Sequence, residues 1–145
     1  MTRILSLDPG GTTGLAVIDF DDESVTLVEA TQVKGDLRGF LQWQAGFDSP
    51  IDVIVCESFT LRPGIHGVNL SPTYIIGALE ALYQSYDIVY QEPKLKPLCD
   101  DDRLKKIGIH QSAMPHANDA IRHGIIYLRN KKHLPTLRMG WSDED

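Results

Sequence analysis

The chain predicts an α/β domain on a five-stranded mixed sheet, three antiparallel strands followed by parallel ones, with helices flanking them. Three observations point there. Residues 3–7, 15–20 and 25–33 are short apolar or alternating runs, separated by Pro9-Gly10-Gly11 and by Asp21-Asp22-Glu23-Ser24. Such spacing makes an antiparallel meander. Residues 52–57 are a near-continuous apolar run, the pattern of a strand buried on both faces in a parallel position. From residue 71 onward the apolar period changes to the helical one.

Taken in order, Asp8 closes the first strand and a glycine-rich turn leads into the second. After the third strand, Asp36 is expected to cap a short helix over residues 37–46, with Leu37, Phe40 and Leu41 on one face. Glu57 ends the fourth strand as Asp8 ends the first. Residues 59–70 contain Pro63, Gly64 and Gly67 and no period, so an exposed, mobile loop is expected. Ser71-Pro72 reads as a cap and first turn, followed by Tyr74, Ile75, Ala78, Leu79 and Leu82 at helical spacing. Residues 87–91 form a fifth strand, and residues 92–97 a stiff basic connection. Asp100-Asp101-Asp102 before Arg103, Lys105 and Lys106 matches the dipole of a short helix. The last helix covers residues 115–130. Residues 1–138 read as one domain and 139–145 as a flexible acidic tail.

At 145 residues with 42% hydrophobic side chains, the chain suffices for one core and not for two domains. No apolar run approaches the ~20 residues of a membrane span, and Met1-Thr2-Arg3 enters a strand directly, so a soluble protein without a signal peptide is expected. Cys56 and Cys99 lack metal or disulfide spacing, which fits a reducing cytoplasm. Cys56 is expected to point away from Glu57, into the core.

The formal net charge of -6 is unevenly spread. Residues 1–60 carry a net -7 and residues 94–138 a net +6. An acidic half beside a basic third suits a site that gathers metal with carboxylates and phosphate with Lys and Arg. On the last helix Ala117, Ala120, Ile121, Gly124, Ile125 and Leu128 form an apolar stripe, with His116, Asp119 and His123 grouped outside it. That face could be merely solvated, with His123 no more than a supporting residue. With Asp8 and Glu57 as company, the acids and imidazole suit oxygen-rich binding of Mg²⁺, with Mn²⁺ as a substitute, and two-metal phosphodiester chemistry. No Cys or Ser stands out as a nucleophile.

The order Asp8-Pro9-Gly10 with Thr13-Gly14, a buried strand ending in Glu57, and His116-Ala117-Asn118-Asp119-Ala120 resembles the RuvC family of Holliday junction resolvases. It is most similar to the short RuvC-like resolvases of bacteriophages, over residues 3 to about 128. The resemblance implies a ribonuclease H-like fold, with Asp8, Glu57, His116 and Asp119 as catalytic metal ligands. It implies a homodimer acting on branched DNA, four-way junctions above all, in the cytoplasm of a bacterium or a phage-infected host. Phe59 resembles the aromatic that stacks on bases at the junction, and Lys96 and Lys105 the phosphate-binding lysines. Arg62, Lys94, Arg103 and Lys106 complete the expected DNA-binding set. The apolar second helix is a candidate dimer interface.

Three rivals stand beside this reading. Residues 8–14 also resemble the first phosphate loop of the sugar kinase and actin superfamily, which needs two such domains. A non-catalytic nucleic-acid-binding module of the same fold would have no reason to bear clustered acids. A ribonuclease H would prefer an RNA-DNA hybrid.

Overall fold

The centre of the sheet is β1 (Thr2–Asp8), with strand order β3-β2-β1-β4-β5. The computed structural model describes residues 1–61, 63–64 and 66–142. β2 (Thr12–Phe20) pairs antiparallel with β1 and with β3 (Val25–Lys34), while β4 (Val53–Glu57) and β5 (Ile88–Gln91) run parallel to β1. This is the expected mixed sheet. The helices are α1 (Asp36–Ala45), α2 (Ser71–Leu82), α3 (Asp101–Ile107), α4 (Pro115–Asn130) and α5 (Leu134–Gly140).

Strand alternation divides the core into two layers. Leu5, Leu7, Val17, Ile54 and Cys56 point to one face, where Phe40 of α1 and Ile75 and Leu79 of α2 cover them. Ile4, Ala16, Ile18 and Val55 point to the other, beneath Ala120, Ile121 and Ile125 of α4. Ser6, wholly buried among them, donates to the Ala120 carbonyl at 2.6 Å and so ties α4 to β1. As expected, Cys56 packs in the layer opposite Glu57's side. Burial pushes both thiols up, Cys99 to about 12, so neither is a ready nucleophile.

Several local expectations change. Asp36 does not cap α1: the cap position is Gly35, and Asp36 is itself left-handed at φ 55°. Its amide donates to Gly11 O and its carboxylate accepts from Ser71 Oγ at 2.5 Å, which spends both proposed caps on joining the β1–β2 turn to α2. The connection after β5 is a 3-10 helix over Pro93–Cys99. α5 was not expected, and the presumed tail boundary at 139 falls inside it. Trp141 beyond it is 6% exposed and belongs to the α4 layer.

Candidate functional site

The site begins with strand register. Leu7 pairs with Cys56 and Glu57 with Gln91, so Asp8, Glu57 and Gln91 stand as a row across β1, β4 and β5. By alternation with Ile4 and Ser6, that row faces α4. The first turn of α4 is then set against it by the antiparallel strands. Gly14, opposite Asp8 in β2, lies so close to the His116 carbonyl that a Cβ there would fall 1.8 Å from its oxygen. Gln32, opposite Gly14 in β3, accepts from the amides of His116 and Ala117 at 3.1 and 3.3 Å. A side chain 84 residues away thus serves the helix end that Met114 leaves uncapped.

This arrangement gathers Asp8, Glu57, Asp119 and His116. Burial, with the Glu57 carboxylate alongside and Asp119 beyond, pushes the Asp8 carboxyl up to about 9. Burial also acts to raise Glu57, but hydrogen bonds from His123 and Asp8 and the nearby Lys96 charge prevail and hold it low. The two carboxyls are thus driven apart, Asp8 toward its neutral form and Glu57 toward its charged one. Asp119 and His116 are more open, their side chains 28% and 46% exposed, and His116 Nδ1 lies 3.8 Å from Asp8 Oδ2.

Cations close the cluster. Lys96, delivered by the 3-10 helix, sits 3.2 Å from Glu57 Oε1 and 3.5 Å from Asp119 Oδ2. Burial opposes its charge, but Glu57, Asp119 and Asp8 outweigh that and raise its pKa. Two residues weigh more here than their sequence pattern implied. Arg122, 8% exposed, places Nε 3.0 Å from Asp119 Oδ1, donates NH2 to Asp101 at 2.5 Å and NH1 to the Cys99 carbonyl at 2.8 Å. One fork holds Asp119 to both the 3-10 helix and the start of α3. His123 is fully buried rather than part of a solvated face, with Nδ1 2.7 Å from Gln91 Oε1 and Nε2 3.4 Å from Glu57 Oε2. Its place on the same face of the helix as Asp119 was visible in the wheel; its burial was not, because β5 covers it.

The expected DNA-binding residues fall into distinct settings. Phe59 is half-buried just beyond β4, and Arg62 lies outside the described residues. Lys94 is exposed and pairs with Glu92 at 2.8 Å. Lys105 and Lys106 are exposed on α3. Arg103 is instead half-buried: it stacks 4.6 Å over Trp141 and donates to the Gly140 carbonyl, which ties α3 to α5. Lys94, Lys96, Asp119 and Arg122 border an open groove of about 810 Å³.

Three carboxylates are the hard oxygen donors that Mg²⁺ prefers, and buried Glu57 Oε2 has only the distant His123 Nε2, at 3.4 Å, facing it, so the donor chemistry fits a divalent cation. Among the described residues, however, no three His, Cys, Asp or Glu side chains already form an ion-holding group. Lys96 stands between two of the acids and would have to withdraw.

No protein-family model matches the chain, and no curated protein matches it significantly. Solved structures do. The chain is similar to RuvC of T. thermophilus in complex with a Holliday junction substrate, at 13% identity and a TM-score of 0.64, covering 90% of this chain and 96% of that one. It is also similar to the fowlpox virus Holliday junction resolvase, at 14% identity and a TM-score of 0.61, covering 90% and 99%. The likeness is one of fold. The chain has the RuvC-like form of the ribonuclease H-type fold, the one its sequence resembles.

Proposed function

We propose that this protein is a divalent-metal-dependent, structure-selective DNA endonuclease that resolves four-way junctions and other branched DNA. The observation that carries the proposal is the row of strand-end acids, Asp8 and Glu57 in contact on adjacent strands, closed by Asp119 from α4. A fold that needed only to bind DNA would have no use for two carboxyls pressed side by side against their mutual repulsion. The structures of like fold, a RuvC with its Holliday junction substrate and a poxvirus resolvase, make phosphodiester cleavage in branched DNA the natural chemistry for such a cluster.

In this reading Asp8, Glu57, Asp119 and His116 would hold the metal. With Mg²⁺ held there, the site would have an activated water and charge to stabilise the leaving oxygen of the scissile phosphate. The chain's own residues do the rest. Asp8 would bind the ion as a carboxylate, the ion's charge offsetting the burial and the Glu57 and Asp119 charges that raise its pKa. His116, exposed beside Asp8, would either complete that ligand set as neutral imidazole or, left unligated, accept a proton from the attacking water. Lys96 exchanges its carboxylate partners for a backbone phosphate, and Arg122 and His123 keep Asp119 and Glu57 in place.

Cutting a junction symmetrically calls for two sites related by a two-fold axis, hence a homodimer. Exposed Tyr74 and Leu82 on α2 offer a surface for it. No helix among the described residues is long and apolar enough to cross a membrane.

The test is nick mapping on a labelled four-way junction, a flap, a plain duplex and an RNA-DNA hybrid, with Mg²⁺ or Mn²⁺. Paired nicks near the junction centre are expected, lost to background in Asp8→Asn while DNA binding persists or tightens. Preferential cutting of the hybrid would move the assignment to a ribonuclease H. Substantial cleavage by Asp8→Asn would end the metal-ligand assignment.

A further inference from the structure

After Asp119 the chain has no acid until Asp143, while residues 120–142 hold Arg122, Arg129, Lys131, Lys132 and Arg138. Arg122 is occupied by Asp119 and Asp101. Three of the others, Arg129, Lys132 and Arg138, line a groove of about 530 Å³ between the end of α4 and α5, together with Leu134 and Trp141. Trp141 is nearly buried, and the Arg129 guanidinium lies 5.6 Å from the centre of its ring. Among the described residues none of these three cations has a carboxylate in ion-pair range. The Arg129 fork makes one long bond, 3.3 Å to Asn130, and its buried Nε donates to nothing. Arg138 also borders a second groove that carries Asp22 and Glu23.

We propose that this groove is a second contact for the nucleic-acid backbone, binding the sugar-phosphate of a duplex arm whose cleaved strand lies at the acid cluster. The proposal rests on the nuclease reading above. Arg122 and Arg129 are seven residues apart, two turns on nearly the same face of α4, so the groove continues the face that carries the site. Asp119 to Arg129 spans roughly 15 Å of helix, a length over which duplex DNA carries roughly nine backbone charges. The Arg129 guanidinium, 5.6 Å from the Trp141 ring, is held by it near the groove, where a charged fork suits phosphate oxygens better than a carbonyl. Among the described residues, three cations without carboxylate partners make a poor seat for an apolar ligand. An acidic protein segment is the competing occupant.

The experiment is equilibrium binding of the full chain to a labelled four-way junction in EDTA over a salt series, with single-turnover cleavage at saturating DNA in Mg²⁺. Lys132→Gln/Arg138→Gln is the main variant. Arg129→Gln is added with a thermal melt, because Arg129 also packs on Trp141. The slope of log K against log salt should fall by about 0.9 for each phosphate that the variant no longer neutralises, with affinity several-fold weaker near 100 mM salt and cleavage of bound DNA unchanged. If the wild type binds and cuts but the variants bind with the same slope and affinity, the groove proposal alone is overturned. A polyglutamate peptide whose binding needs Lys132 and Arg138, with the DNA slope unmoved, would reassign the groove to an acidic segment. If the wild type binds no junction, the nuclease reading falls and this proposal falls with it.

Discussion

The two ends of α4 belong to one helix and are built on different terms. At the start, His116, Asp119, Arg122 and His123 are all engaged by partners from β1, β4, β5 and the 3-10 helix. At the end, Arg129 and, just past the helix, Lys132 line a groove with no carboxylate against them among the described residues. Backbone contact sets the first end: Gly14 admits the His116 carbonyl and Gln32 takes its amide. Side-chain packing sets the rest of the helix, through Ile121 and Ile125 on the sheet. An exact position for a few polar groups needs an unyielding neighbour. A core layer tolerates small adjustment.

The largest expected effect tests that difference directly. Gly14→Ala drives a Cβ into the His116 backbone, so α4 must lift from β2. Stability should fall by about 3 kcal/mol or more, read as a lower urea midpoint, with cleavage lost in the fraction that folds. Gly124→Ala, farther along α4, meets Ile18 Cδ1 at 2.6 Å, the end of a side chain that can turn aside. It should cost about 1 kcal/mol and leave the cleavage rate of folded protein unchanged. Equal losses from the two alanines would break the comparison.

Arg122→Gln comes next. It leaves Asp119 in place in the chain but removes the fork that aims it, so divalent-cation affinity or single-turnover cleavage should drop about 10–100-fold. Arg122→Lys should recover little, since an ammonium cannot reach Asp119, Asp101 and the Cys99 carbonyl together. Calorimetric metal affinity and cleavage both at wild-type levels in Arg122→Gln would mean that the helix alone places Asp119.

The smallest effect lies at the edge of the same network. The hydrogen bond from Arg122 holds the Asp101 carboxyl below its usual range, against a weaker opposing effect of burial. A folded-state pKa below the unfolded one stabilises above the unfolded value, about 3.9, and the gain disappears as pH falls through the folded value. Wild type and Asp101→Asn should thus differ in melting temperature at pH 7 and converge as pH falls below the ordinary carboxylate range. The gap should be worth less than about 1 kcal/mol, because Asp101's side chain is 58% exposed and water screens the pair. A gap that persists undiminished in acid would mean that Asp101 acts through packing.

Much of the fold was legible because it follows local periods. The alternation of residues 3–7 and 15–20, the unbroken apolar run before Glu57 and the stripe on α4 each report an element within their own span. α5 escaped because seven residues without a capping side chain give almost no period. Pro135 in its first turn and Leu134, Leu137 and Trp141 at helical spacing were the available signals. Lys96 and Arg103 looked alike as basic residues near Asp100. One became the counter-ion of two acids and the other a bracket between α3 and α5.

The sequence by itself determined the order of the five strands and of the α-helices up to residue 130, the apolar stripe on α4, and that Asp8 and Glu57 each end a strand. Only the tertiary structure decided that those ends are neighbours, that His123 lies beneath Glu57, and that Gln32 holds the start of α4. The physical reason is reach. Burial periodicity is set by the turn of the backbone over a few residues, whereas a polar network depends on strand order and register. These bring together groups 32 and 84 residues apart whose local surroundings carry no trace of each other.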